Sequence, residues 1–350
     1  MDVDFLLVGQ GIAGTALAHR LTIAGKKVAV IDQANKNNSS RVAAGLFNPI
    51  TGRQMVKTWM ADQLFPEIEP FYTQLEEYVG AEFFHAKPVY RPFVSIEEQN
   101  EWMGKSGDSG YQAYFHTVQQ SSLYKELNDP FGGLLLRQSG YVNLNSLLDA
   151  YATVLRRQGL FRDEAFDESG LSINNRGIAY RDITAGALVF TNGLGALNSR
   201  FFDWLPLKPN KGEILVIKQD FCPEEIINRG IFRINLPDLS VRVGSTYSNS
   251  ELSPDPTAAA REELLDKLEK LVKLPVEELL RHDTGLRPTT IDRRPVLGKH
   301  PLHDRVYIFN GLGSKGVSLA PYFSKVMSEL LIFGKEPLKE VNISRFFKYI

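Results

Sequence analysis

The run Val3-Asp4-Phe5-Leu6-Leu7-Val8-Gly9-Gln10-Gly11-Ile12-Ala13-Gly14, answered by a second β-rich run from Lys27 to Ile31 that closes on Asp32, decides the fold. Val3 to Val8 is a short apolar stretch of buried-strand type. Ile12, Ala16, Leu17, Leu21 and Ala24 then recur at helical spacing until Gly25 stops them. Strand, glycine turn, helix and strand within about 30 residues predict a βαβ unit, whose parallel strands need the right-handed crossover. Gly9 to Gly14 fits G-x-G-x-x-G. Gly9 permits the tight turn, Gly11 lets backbone approach a pyrophosphate, and Gly14 lets helix and strand pack closely. The first-turn N–H groups at Ile12 and Ala13 and the helix dipole favour a phosphate charge. Asp32, 23 residues after Gly9, ends the second strand with Gln33 beside it, where a carboxylate accepts ribose hydroxyls. A dinucleotide site is the expectation, without a choice between NAD and FAD. The competing reading is a tight glycine turn in an unrelated α/β fold.

The rest of the chain is consistent with a globular protein. Its 350 residues carry 40 Lys+Arg against 41 Asp+Glu, a net charge of −1, with 43% hydrophobic residues. That balance excludes disorder, collagen-like repeats and a strongly basic nucleic-acid coat. The length allows two domains with a full core. The single cysteine, Cys222, excludes an intramolecular disulfide framework and a Cys-based cluster, in agreement with a reducing compartment. Met1 to Asp4 is acidic, and glycines and Gln10 break the apolar stretch that follows. A signal peptide wants a basic start and a continuous apolar centre, so a cytoplasmic protein without a membrane span is expected.

Further on, Asn35 to Arg41 reads as a polar loop and residues 58–79 as helical. Asn145 or Ser146 is the expected cap of a helix through Leu147, Leu148, Tyr151 and Leu155. Ala187 to Gly193 reads as a buried strand with a glycine turn. Gly212 to Lys218 and Ser240 to Tyr247 read as alternating strands, and 257–273 as an amphipathic helix. Val306 to Phe309 is a last strand before the glycine-rich turn 311–316 and a helix to about 333. The alternation predicts an α/β, Rossmann-like domain interrupted twice by a mainly antiparallel β domain. The expected boundaries are 1–85, 140–205 and 276–350 for the nucleotide-binding domain, and 86–139 and 206–275 for the inserted one.

Three more segments carry a family resemblance. Ser39-Ser40-Arg41-Val42-Ala43-Ala44-Gly45-Leu46 resembles the stretch after the second strand in the D-amino-acid oxidase-like flavoproteins, which include glycine oxidase and sarcosine oxidase. Leu286-Arg287-Pro288 with Asp292, Pro295 and Gly298 resembles that family's G-x-R-P…D…P-x-x-G segment. Gly311-Leu312-Gly313-Ser314-Lys315-Gly316, followed by Leu319-Ala320-Pro321, resembles its last flavin-contacting turn and helix. The motifs stand at both ends of the chain in the expected order. The nearest branch in appearance is the FAD oxidase domain of the bifunctional enzyme that completes 5-methylaminomethyl-2-thiouridine in tRNA. No methyltransferase domain precedes the fingerprint, so a small amine is expected as substrate ahead of tRNA.

The resemblance implies a glutathione-reductase-like FAD-binding fold and an oxidase or dehydrogenase that acts on a C–N bond, with oxygen as acceptor. Ser40 and Arg41 would approach the pyrophosphate. Ala43, Ala44, Gly45 and Leu46 would pass close to the flavin ring. The turn from Leu312 to Val317 would lie against the ring's N1–C2=O2 side. Ala165 and Gly193 complete the implied cofactor contacts. Cys222 stands far from these motifs, so FAD is expected to be held non-covalently. Arg287 would pair with a substrate carboxylate, the competing reading being a buried arginine paired with Asp283 or Asp292. Arg242 occupies a place like that of the oxygen-activating lysine of sarcosine oxidase, the competing reading being a solvent-facing strand residue. Phe232, Arg233 and Tyr247 would line the substrate cavity, with core packing as the alternative for the aromatics. The six histidines show no metal spacing, and His300 and His303 read as surface residues. Segment 287–305 carries five Arg/Lys against two Asp, and Arg345 to Tyr349 interleave charges with aromatics. A solvated face and a docked tail are expected there, rather than an RNA contact.

Overall fold

The computed structural model describes residues 1–350 except 34–37, 53–54 and 175–176. Asp2–Val8 alternates its side chains between two cores. Phe5 and Leu7 face the helices Ile12–Ile23, Ile68–Val79, Leu144–Arg157 and Gly316–Phe333, while Leu6 and Val8 join a second cluster on the other face. A parallel strand buried on both faces needs this continuous apolar run. Five strands run parallel in the order Phe161–Asp163, Val28–Asp32, Asp2–Val8, Ile183–Phe190, Val306–Asn310. An antiparallel hairpin, Leu171–Asn174 with Gly177–Tyr180, and the strand Val296–Lys299 complete an eight-stranded sheet.

A second sheet of eight strands runs in the order Glu278–Thr290, Leu207–Lys218, Val241–Gly244, Ile231–Asn235, Ile226–Arg229, Val89–Pro92, Gly133–Leu136, Phe115–Gln119. It is antiparallel apart from the pair of Ile226–Arg229 with Val89–Pro92. The helix Ala258–Leu271 packs Leu264 and Leu268 on its outer face, against Leu215, Ile217, Val241 and Val243. The period of two then turns Ile214, Phe232, Gly244, Asn228 and Arg91 toward the first sheet.

Some local expectations shift. Glu278–Thr290 pairs along its length with Leu207–Lys218, so the stretch from 278 to 290 belongs to the antiparallel sheet and not to the nucleotide-binding one. We accordingly propose to extend the inserted domain to residue 290. The helix Leu144–Arg157 is capped by Asn143, whose side chain accepts from the Ser146 N–H at 3.3 Å, instead of by Asn145 or Ser146. Ser39–Val42 is a short helix capped by Asn38 and not a loop; residues 35–37 of that expected loop lie outside the described residues. His300 is buried against Phe202 and Trp204, because the preceding strand carries it inward, whereas His303 is exposed. The tail docks through Arg345, which binds Asp292 at 2.8 Å and the Pro295 carbonyl at 2.8 Å.

Candidate active site

A cavity of about 1720 Å³ runs between the two sheets. Its first end is built by the glycine fingerprint. Gly9 has φ +102°, and a Cβ there would stand 2.6 Å from Asn192 Cα. At Gly14 a Cβ would meet the Gly9 carbonyl oxygen at 2.0 Å, so Gly14 serves packing and does not line the cavity. Gly11 is the N-cap of Ile12–Ile23 and gives no side-chain cap, and this first turn lines the cavity through Gly11, Ile12 and Ala13. The Ser40 hydroxyl accepts from the Ile12 N–H at 3.1 Å and keeps its own proton to donate. Asp32 and Gln33 line this end with Ala165 and Gly193. Burial raises the Asp32 carboxyl above the usual aspartate range, opposed more weakly by the Gln10 N–H and by the charge of Arg41. Asn192 also lines the cavity, and its buried side-chain oxygen has no partner among the described residues.

The middle of the cavity is walled by Ala43, Ala44, Gly45 and Leu46 on one side and by Leu312, Gly313, Ser314, Lys315, Gly316 and Val317 on the other. Gly45, at φ +75°, lies so close to the Val142 carbonyl oxygen that a Cβ would be 1.9 Å from it. Only glycine fits that passage. Lys315 donates to the hydroxyls of Thr51 at 3.1 Å and Thr58 at 3.3 Å. Burial lowers its pKa, with the charge of Arg294 adding to the effect. Gly311 shapes the turn with φ +72° but stays outside the lining.

At the far end Arg287 crosses Gly212, where a Cβ would lie 1.9 Å from Nη2. Its Nη1 donates to Asn210 Oδ1 at 2.8 Å and its Nη2 to Ser245 Oγ at 2.9 Å. The guanidinium also stacks 4.4 Å from the Tyr247 ring centre. Asp283 pairs with Arg281 and Asp292 with Arg345, so neither carboxylate neutralises Arg287. Burial lowers its pKa. Phe232 and Tyr247 line the same end, Tyr247 with 65% exposure.

Three expected site residues stand elsewhere. Arg233 follows Phe232 by one residue, so it points to the outer face, where it binds Gln219, Asn235 and the Phe221 carbonyl. Arg242 is on the inner face but beneath the 43–44 segment, its Nη1 3.5 Å and 3.4 Å from the carbonyl oxygens of Ala43 and Ala44. It is buried there, neither in the cavity wall nor in solvent. Arg41 turns to Asp149 at 2.6 Å on the helix Leu144–Arg157 and does not line the cavity. Sequence reasoning missed Arg91, Asn228 and Arg229, which only strand pairing brings to the lining. The carboxylates of the lining, Asp32, Glu164, Asp167 and Glu168, all belong to the nucleotide end, and no histidine lines the described cavity.

Residues 4–330 match the family model of the DAO type, described as FAD dependent oxidoreductase. The chain belongs to that family. The tRNA 5-methylaminomethyl-2-thiouridine biosynthesis bifunctional protein of Legionella pneumophila (strain Corby) is 21% identical over 405 residues, covering 98% of this chain and 57% of the relative. The chain thus spans just over half the length of that relative. Glycine oxidase of Bacillus licheniformis is 25% identical over 373 residues, covering 98% of this chain and 96% of the relative. The crystal structure of glycine oxidase from Geobacillus kaustophilus matches with a TM-score of 0.78 at 18% identity, covering 99% of this chain and 98% of the other. This DAO-family chain is therefore an FAD-dependent oxidoreductase by family, with a glutathione-reductase-like α/β fold and a second, antiparallel β domain. No helix among the described residues is long and apolar enough to cross a membrane.

Proposed function

We propose that this oxidoreductase oxidises the C–N bond of an amino acid or an N-substituted glycine whose carboxylate is held by Arg287. The observation that carries the reading is a half-buried, cavity-lining guanidinium whose partners are neutral oxygens. A cation in that setting is a fitting partner for a carboxylate, and guanidinium geometry suits a two-pronged grip.

The residues present fit non-covalent FAD. The glycine turn has no room for side chains, the Ser40 hydroxyl can donate to a phosphate, and Asn192 Oδ1 lacks a partner. Asp32 would accept the ribose hydroxyls, while residues 43–46 and 312–317 would hold the ring. FAD, when bound, supplies a hydride acceptor. Arg287 then orients the acid so that the carbon bearing the amine faces that acceptor. Phe232 and the apolar wall around Ile214 exclude water. With no carboxylate or histidine lining this end among the described residues, the amine is expected to enter neutral and to need no side-chain base. The imine that leaves hydrolyses in water, and oxygen is the proposed final electron acceptor.

The test is an anaerobic screen of amino acids, glycine and sarcosine, read by bleaching of the flavin absorbance. Arg287→Gln should keep the colour and lose roughly 30-fold or more in the reduction rate with carboxylate substrates, the usual cost of removing one partner of a desolvated charge pair in the bound complex. Unchanged reduction would refute the anchor.

A further inference from the structure

Arg91 and Arg229 form a cationic corner of the same cavity that the amino-acid reading leaves unused. Arg91 lies on Val89–Pro92, beside Ile226–Arg229. Strand alternation buries Tyr90 in the outer core and turns Arg91 inward. Arg91 is 4% exposed, yet its guanidinium meets no carboxylate among the described residues. Nη2 donates to the Gly52 carbonyl at 2.9 Å and Nη1 reaches Asn228 Oδ1 at 3.4 Å. Nε has no partner among the described residues. Arg229 donates to Glu98 at 2.9 Å, and the other oxygen of Glu98 accepts from the Val94 N–H at 2.8 Å. Glu98 is therefore bonded to Arg229, and the neighbouring Arg91 has no ion pair with it. Burial, and after it the charge of Arg229, pushes the Arg91 pKa down to about 10, with Glu98 opposing.

A purely structural arginine looks different in this molecule. Arg233 is also buried without a carboxylate, but all three of its nitrogens are bonded and it does not line the cavity. Arg91 keeps an unmet donor and an uncompensated charge at the cavity wall, a costly arrangement unless an anion completes it.

The geometry points to a second oxyanion subsite, in which Arg91 and Arg229 take the carboxylate or phosphate at the far end of the amine whose own carboxylate lies on Arg287. This rests on the amino-acid reading above and narrows it to acid-tailed substrates. Along the sheet, Asn228 pairs with Phe232 and Phe232 with Gly244, the neighbour of Ser245 that holds Arg287. Val89–Pro92 and Val241–Gly244 are three strand spacings apart, roughly 14 Å before the side chains reach toward each other. A tail of several bonds spans that gap, which glycine itself does not.

The experiment compares flavin reduction, without oxygen, by N-butylglycine, N-(3-carboxypropyl)glycine and N-(2-phosphonoethyl)glycine. An acidic tail should raise the second-order rate about tenfold, the effect of one charged hydrogen bond, and the better of the two tails tells carboxylate from phosphate. Arg91→Gln should erase that preference and Arg91→Lys restore part of it. Equal rates for neutral and acidic tails in the unaltered enzyme overturn the subsite. Calorimetric binding of pimelate against heptanoate to the holoenzyme separates the two readings and needs no turnover. Tighter pimelate binding, reduced in Arg91→Gln, supports the corner even if none of the amines reduces the flavin, in which case only the amino-acid reading fails. Equal binding of the two acids overturns the corner whatever the amines do.

Discussion

At the residue scale, Asp32 sets stability against binding. Burial raises its folded pKa above the ordinary value of 3.8. The stability it contributes is fully present below that value and is lost as the pH rises through the raised one. At neutral pH the empty protein therefore holds an unfavourable charge, which ribose hydroxyls would offset. Asp32→Asn is expected to leave the apoprotein equally or more stable in thermal melts at pH 7, with the gain gone below about pH 4. The same variant should bind FAD about tenfold more weakly, one charge-assisted hydrogen bond being lost. Tight FAD binding by the variant in a fluorescence titration would remove Asp32 from the site. Gly212 makes a parallel point about Arg287, because any side chain there would occupy the path of the guanidinium.

At the scale of elements, the final helix carries a defect and its repair. Pro321 inside Gly316–Phe333 has no N–H to give to the Val317 carbonyl four residues earlier. The buried Tyr72 hydroxyl, from the helix Ile68–Val79, donates to that oxygen at 2.8 Å. Val317 ends the turn that walls the cavity, so one hydrogen bond ties helix packing to the site. Tyr72→Phe should cost about 1–3 kcal/mol in urea unfolding, the penalty of a buried acceptor left unmet. A loss under a few tenths of a kcal/mol would mean that water or another donor serves Val317. The strand Ile231–Asn235 shows the opposite lesson, since one step along it exchanges the cavity wall at Phe232 for the outer core at Arg233.

For the whole molecule, the cavity is walled by Gly9, residues 11–13 and residues 312–318, from near the two ends of the chain, and by both sheets between them. A ligand seated there joins parts that otherwise meet along an open groove. Removing FAD should lower the unfolding free energy, and returning it at a hundredfold excess over Kd should restore about 2.7 kcal/mol, as mass action requires. Denaturant curves of apo and holo protein measure this. Coincident curves at that excess would show that the cofactor does not engage the folded state.

The sequence by itself determined the βαβ unit, the glycine turn and the placing of Asp32, because periodicity and glycine geometry act within some 30 residues. It also singled out Arg287 and the turn after Gly311 through motifs that are local strings. Only the tertiary structure decided that Arg41 pairs with Asp149, that Arg242 lies beneath Ala43 and Ala44, and that Arg91 comes beside Asn228 in the cavity wall. Those outcomes depend on strand register and on partners over 100 positions away. A side chain's face follows from alternation, but which strand stands next to it is fixed only when the sheets assemble.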